Sequence, residues 1–275
     1  MAPANGDGGK DMRSDFETIT AERRDHHILL VTLNRPAASN ALNTQMGRDL
    51  VELFETFTTD LEGLRVVILT GSGSKAFCAG GDLKQRNGMT DEAWQAQHLV
   101  FERMVRAILA CPIPVIAAVN GAAYGGGCEI AAATDFVYAA TEARFALTEV
   151  TLGIMPGGGG TQNLPRAVGE RRAKELILSG LPFTATEAEA WGLVNRVLPQ
   201  GELMEATFAI AARIAANGPI SVRQAKQAIH RGLQMSLADG LAFEIEAYNR
   251  LVPTEDRREG VRAFNERRKP DFRGR

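Results

Sequence analysis

Cysteine is scarce in this chain: Cys78, Cys111 and Cys128 are the only three in 275 residues, and no two stand at C-x-x-C spacing. So sparse and odd a set provides neither a disulfide framework nor the thiolate cluster of a structural zinc site. The four histidines, His26, His27, His98 and His230, show no ligand spacing with them, so no metal is expected. Charge of one sign is also lacking, with 31 Lys and Arg against 33 Asp and Glu. A net charge of −2 generates no field that would gather nucleic acid or anionic lipid. No apolar run approaches the roughly 18 residues of a membrane-spanning helix. The phosphate loop GxxxxGK[ST] and the nucleophile elbow GxSxG are both missing, which removes a Walker-type site and an elbow hydrolase from consideration. Residues 1–15 are rich in Gly and Asp, have Lys10 and Arg13 as cations and contain no apolar core. They read as a disordered tail, neither secretory nor transit peptide, and the expected location is cytoplasmic.

What is present is a chain that is 45% hydrophobic and 23% charged, enough to bury one large core. Short β-rich runs recur at 28–34, 66–70, 115–120, 136–139 and 145–147, separated by helical patterns, which predicts an α/β fold. Leu42, Met46, Leu50, Leu53, Phe54 and Phe57 recur at helical spacing, so an amphipathic helix is predicted over 42–59. A second helix is predicted over 91–110, stopped by Cys111-Pro112. From about residue 170 the strand signal gives way to capped helices. Thr184-x-x-Glu187, Ser221-x-x-Gln224, Ser236-x-x-Asp239 and Thr254 mark starts, and Gly192 marks a stop. The chain therefore divides into an α/β core over 16–200 and a helical region over 201–275, whose apolar faces call for another subunit.

Chemistry concentrates at two glutamates beside glycine runs. Glu129 closes Gly125-Gly126-Gly127-Cys128-Glu129, and Glu149 precedes Pro156 and Gly157 to Gly160. Glycine lets a backbone approach a ligand closely, a helix starting in such a run directs free N–H groups at a ligand oxygen, and paired carboxylates exchange protons. The purely structural account is that these glycines only let helix pack on strand, that Glu129 compensates a helix dipole, and that Glu149 is an exposed loop acid. Gly71-Ser72-Gly73-Ser74-Lys75-Ala76 also fits the dinucleotide pattern GxGxxA. The residues after it are poor helix formers, which argues against an oxidoreductase.

At these residues the chain resembles the crotonase superfamily of enoyl-CoA hydratases and isomerases. The resemblance runs through Leu33-Asn34-Arg35-Pro36, Asn40-Ala41-Leu42, Ala76 to Lys84, Asn120-Gly121, Gly125 to Glu129, and Glu149 to Gln162, and spans residues 16–275. It implies a crotonase-like spiral of ββα units followed by a C-terminal helical trimerisation region, in a homotrimer or homohexamer. It implies an acyl-CoA thioester substrate, with coenzyme A as part of that substrate and no separate cofactor. The thioester oxygen would accept hydrogen bonds from the backbone amides of Gly81 and Gly126, with Ala79, Gly81, Asp82, Leu83, Lys84 and Tyr124 around the bound thioester. Glu129 and Glu149 would be the catalytic pair, adding water oxygen to the β carbon of a 2-enoyl-CoA and a proton to the α carbon.

Many isomerases of the family keep only the later glutamate, so retention of both favours hydration in fatty-acid, branched-chain or aromatic acyl-CoA degradation. Within the family the likeness extends to methylglutaconyl-CoA hydratases, through Asp82-Leu83-Lys84-Gln85-Arg86 and Pro156 to Gln162. A methylglutaconyl-CoA hydratase or an isomerase is thus the alternative, and a non-catalytic acyl-CoA-binding protein the alternative of another class. Some of those relatives bind RNA through a lysine-rich helix. Here Asp49, Glu52, Glu55, Asp60 and Glu62 stand against Arg48, and an acidic helix repels phosphate. Ala37 replaces a common lysine, and Tyr124 a common leucine. The basic tail (Arg262, Arg267, Arg268, Lys269, Arg273, Arg275) is either a CoA-phosphate contact or a solvated helix end.

Overall fold

The computed structural model describes residues 15–25 and 27–275. The expected tail therefore lies outside the described residues except for Asp15, and so does His26. Ten strands are formed among the described residues: β1 (Ile19–Asp25), β2 (Ile28–Leu33), β3 (Val66–Gly71), β4 (Ala76–Cys78), β5 (Val115–Val119), β6 (Ala122–Tyr124), β7 (Phe136–Ala140), β8 (Arg144–Ala146), β9 (Phe183–Thr184) and β10 (Arg196–Leu198). The helices are α1 (Thr44–Thr56), α2 (Leu83–Arg86), α3 (Asp91–Ala110), α4 (Gly126–Ala133), α5 (Gly160–Val168), α6 (Glu170–Ser179), α7 (Ala185–Trp191), α8 (Leu203–Ala215), α9 (Pro219–Gly232), α10 (Leu237–Asn249) and α11 (Glu255–Asn265).

A six-stranded sheet has the order β1-β2-β3-β5-β7-β10, antiparallel at β1-β2 and parallel elsewhere; a four-stranded sheet has the order β4-β6-β8-β9. The chain alternates between them. β3 enters the large sheet and β4 the small one before α2 and α3; β5 and β6 repeat the step before α4, and β7 and β8 repeat it again. This is the ββα spiral. It brings the ends of β4, β6 and β8, and the loops that leave them, to one place.

Burial explains the strand sequences. β3 and β5 are buried along their whole length, as expected of parallel strands covered on both faces. Alternation then sorts their side chains: Val67, Leu69, Val115 and Ala117 face the core beneath α1 and α3, while Val66, Ile68, Ile116 and Ala118 face Leu203, Ala211 and Ala215 of α8. α8 is thus a layer of the α/β core, although the expected division at residue 200 assigns it to the helical region. Its apolar stripe covers a sheet face that would otherwise be wet.

Helix 91–110 is observed with those bounds, capped by Thr90 and stopped before Pro112. α1 is shorter than the predicted 42–59, because the Asn43 side chain accepts from the Met46 N–H and sets its start. Thr184 forms the capping box, and Ser236 and Thr254 cap α10 and α11. α9 begins at Pro219, ahead of the expected Ser221, since proline's fixed φ suits the first turn. The strand signal does not end at 170. β9 and β10 are two and three residues long, too short to show a period, and pairing with β8 and β7 makes them strands.

The tail folds back on α11, where Asp256 accepts from the Arg273 and Gly274 N–H groups. Arg262 and Arg268 pair with Glu259, Arg273 with Asp271 and Arg275 with Glu255, so four of the six tail cations are already neutralised. Among the described residues no helix is long and apolar enough to cross a membrane, and no group of three His, Cys, Asp or Glu side chains is placed to hold a metal ion.

Candidate active site

The spiral's converging loops enclose a cavity of about 730 Å³. Two backbone segments contribute to its lining. The first follows β4, where Leu42 and Gly81 form an isolated parallel bridge: the Leu42 N–H donates to the Gly80 carbonyl and the Asp82 N–H to the Leu42 carbonyl. Because the flanking residues make both bonds, the N–H of Gly81 is turned away from Leu42, and Gly81 lines the cavity. The second segment follows β6. Gly125 takes φ 50°, ψ −122°, a conformation open to glycine, and turns the chain directly into α4. Gly126 then opens that helix, where first-turn N–H groups lack intrahelical acceptors and the dipole is positive. The two segments adjoin: a Cβ built on Gly125 would stand 3.7 Å from the Gly80 Cα. Gly81 and Gly126 line the same cavity.

Glu129 lies one turn into α4 and is 5% exposed. Its Oε1 accepts two backbone hydrogen bonds, from Gly158 and Gly160, each 2.8 Å. These bonds give the 157–160 glycine run a purpose beyond letting helix pack on strand. A Cβ at Gly158 would come 2.8 Å from Glu129 Oε2, and one at Gly160 2.9 Å from Oε1. Only glycines let that loop wrap the carboxylate. Burial drives the Glu129 carboxyl up from 4.5 to about 7, helped by the nearby Glu149 and opposed by the Gly158 and Gly160 amides and by Arg86.

Glu149 opens a 3-10 turn, Glu149–Leu152, directly after β8. It is half-buried and lines the same cavity, so the exposed-loop account does not hold. Its Oε1 lies beside Gly125, 3.2 Å from a Cβ built there, and its Oε2 is buried with no hydrogen-bond partner among the described residues. Burial raises this carboxyl too, against its own backbone amide and Arg86. A buried carboxylate oxygen without a partner calls for a donor.

The other expected site residues divide. Ala79, Gly81 and Leu83 line the cavity; Asp82, Lys84 and Tyr124 do not. Asp82 caps α2 by accepting from the Lys84 and Gln85 N–H groups and pairs with Arg35 at 2.9 Å. Burial raises its carboxyl, but those amides and Arg35 outweigh burial and hold it below the usual range. Its part is to position the Gly81 loop. Lys84 is exposed on the outer rim near Asn87 and Trp94, and the Tyr124 carbonyl rather than its ring approaches the Gly80 segment. Arg86 and the α3 residues Trp94, His98, Phe101 and Val105 line the cavity although sequence reading gave them no role in the site. The four α3 residues stand at helical spacing, 94, 98, 101 and 105, which is the signal that puts them on one face; Arg86, on α2, has no such signal.

A spiral fold with two adjoining backbone amides and two carboxylates on one cavity defines a class, and comparison with known proteins identifies it. The model of the enoyl-CoA hydratase/isomerase family matches residues 23–275, and the chain belongs to that family, within the crotonase superfamily. YngF of Bacillus subtilis is 47% identical over 94% of this chain and 99% of its own length. The 2,3-dehydroadipyl-CoA hydratase of Escherichia coli is 42% identical, covering 92% and 97% respectively. The crystal structure of an enoyl-CoA hydratase from Bacillus anthracis superposes with a TM-score of 0.92 at 44% identity, covering 94% of this chain and all of that one.

Proposed function

We propose that this protein is an enoyl-CoA hydratase, adding water across the double bond of a 2-enoyl-CoA to give a 3-hydroxyacyl-CoA. The observation that carries the reading is that Glu129 and Glu149 line one cavity together with Gly81 and Gly126, whose backbone amides are the donors this reading assigns to the thioester oxygen. The thioester oxygen takes the two amides, which hold the negative charge that develops on it as the β carbon is attacked. Each such donor is worth roughly 3 to 4 kcal/mol of transition-state stabilisation. One carboxylate draws a proton from water and the other delivers one to the α carbon, which requires that the pair hold a single proton between them near neutrality. Burial of both groups favours that state. A carboxylate oxygen of Glu149, in the same cavity as Glu129, would accept from that water.

Incubation with crotonyl-CoA tests this directly. The expected result is loss of the conjugated-thioester absorbance and a product heavier by one water. Unchanged absorbance would return the protein to the non-catalytic binding class, and conversion of a 3-enoyl-CoA without hydration would make it an isomerase.

The last three helices support assembly with further copies of the chain. Ile229, Leu233, Leu237, Leu241, Ile245 and Phe264 are exposed on α9 to α11 and its approaches, an apolar surface that a monomer would leave in water. A homotrimer or homohexamer is the expected mass in light scattering at micromolar concentration. A monomer would contradict it.

A further inference from the structure

Arg86 ends α2, and its guanidinium enters the cavity beside Gly81: a Cβ built on Gly81 would lie 3.2 Å from Arg86 Nη1. The group is held in place. Its Nε donates to Gln97 Oε1 at 2.8 Å, and Gln97, 4% exposed, is fixed in turn by donating to Thr44 Oγ1 and Gln85 Oε1. Its Cζ rests 4.3 Å from the Trp94 ring centroid and 5.5 Å from that of Phe101. With Nε and the flat face committed, the edge left for the cavity is Nη1 and Nη2. That pair is one of the edges on which arginine grips a carboxylate with two parallel hydrogen bonds.

Among the described residues this edge has neither a hydrogen bond nor an ion pair; Glu129 and Glu149 act on the guanidinium only through space. A preorganised, half-buried cation in a cavity lined also by apolar Met104, Val105 and Pro156 is a poor wall for a hydrocarbon chain, because such a chain would strip its water and return no hydrogen bond. An anion on the acyl chain completes it. We propose that Arg86 receives a second carboxylate carried by the substrate, so that the preferred substrates are CoA monothioesters of short unsaturated dicarboxylic acids. The proposal rests on reading the cavity as a hydratase site, and the nearness of Arg86 to Gly81 sets the short chain. The same guanidinium offsets the repulsion a second carboxylate would meet from the catalytic pair. CoA phosphates are anions too, so the test must vary only the acyl end.

2-Pentenedioyl-CoA and 2-pentenoyl-CoA share CoA and differ in a terminal carboxylate against a methyl. The wild-type protein is expected to hydrate the first with kcat/KM at least about tenfold higher, because an unpaired site group penalises the analogue that lacks its partner. In Arg86→Met the ratio of the two values falls by about tenfold or more, and Arg86→Lys, which keeps the charge and loses the fork, lies between. Using the ratio cancels any influence of Arg86 on the glutamates, which both substrates feel alike. A ratio unchanged in both variants overturns the proposal.

Should the variants fail to fold, binding of glutaryl-CoA and pentanoyl-CoA to the wild-type protein decides: tighter binding of glutaryl-CoA supports the assignment, and equal or weaker binding overturns it. Hydration of both enoyl probes at equal efficiency removes the Arg86 proposal and leaves the hydratase reading. Hydration of neither, with glutaryl-CoA still preferred, does the reverse.

Discussion

Glu129→Gln lowers kcat for 2-enoyl-CoA hydration by about 10²- to 10⁴-fold, the range lost with a positioned acid or base, while acyl-CoA still binds. The same substitution has a stability signature of known sign. Burial lifts the carboxyl from 4.5 to about 7, so between those values the folded protein binds a proton that the unfolded chain releases. The stability of the neutral form is complete below 4.5 and is lost as pH rises through about 7; above that, a buried charge is carried at a cost. Gln is neutral and nearly isosteric, and its oxygen still accepts from Gly158 and Gly160. Glu129→Gln is therefore more stable than wild type at pH 8 by on the order of 3 kcal/mol, with the difference shrinking toward pH 4. Denaturant titrations at the two pH values, alongside turnover, measure both effects. A variant of full activity, or one whose relative stability does not rise with pH, contradicts the role given to this carboxyl.

Gly127→Ala is expected to cost about 3 kcal/mol or more and to leave little soluble protein. A Cβ at this position would lie 2.1 Å from the Cys78 carbonyl oxygen and 2.8 Å from its Cβ, so α4 would have to lift off β4. That contact is what brings the segments carrying the Gly126 and Gly81 amides together, so any folded fraction should lose kcat more than it loses thermal stability. Gly169→Ala serves as the comparison, since its φ of 81° strains a side chain but nothing lies within 4 Å of the built Cβ. A Gly127→Ala protein with wild-type melting temperature and turnover would show that the close seating of α4 is not needed.

These two residues also show how far the sequence was legible. Glu129 announced itself because a carboxylate after three glycines has few other uses, and the alternation of strands and helices gave the α/β class from periodicity alone. The parts that escaped depend on contacts distant in the chain. Nothing near residue 158 says that its amide will donate to a carboxylate at 129, and the wrapping becomes visible only when β8 and the turn after it are placed. β4 and β6, at three residues each, carry no period of their own and become strands by pairing with each other and with β8. Asp82 shows a related limit: an acid beside a glycine loop reads the same in sequence whether it faces a ligand or caps the next helix, and the cap on α2 is visible only in the fold. Arg86 sat within a motif already noticed, yet its entry into the cavity depends on Gln97 and Trp94, contributed by a different helix.

The central claim is that Glu129 and Glu149 act together as one proton-handling unit on one water. A double-mutant cycle on kcat for crotonyl-CoA, using Glu129→Gln, Glu149→Gln and the double variant, tests it most directly. The account predicts that each single change costs about 10²-fold or more and that the double variant is little slower than the slower single, because groups acting as a unit are strongly non-additive. Either single variant retaining wild-type turnover, or losses that simply multiply in the double variant, would contradict it.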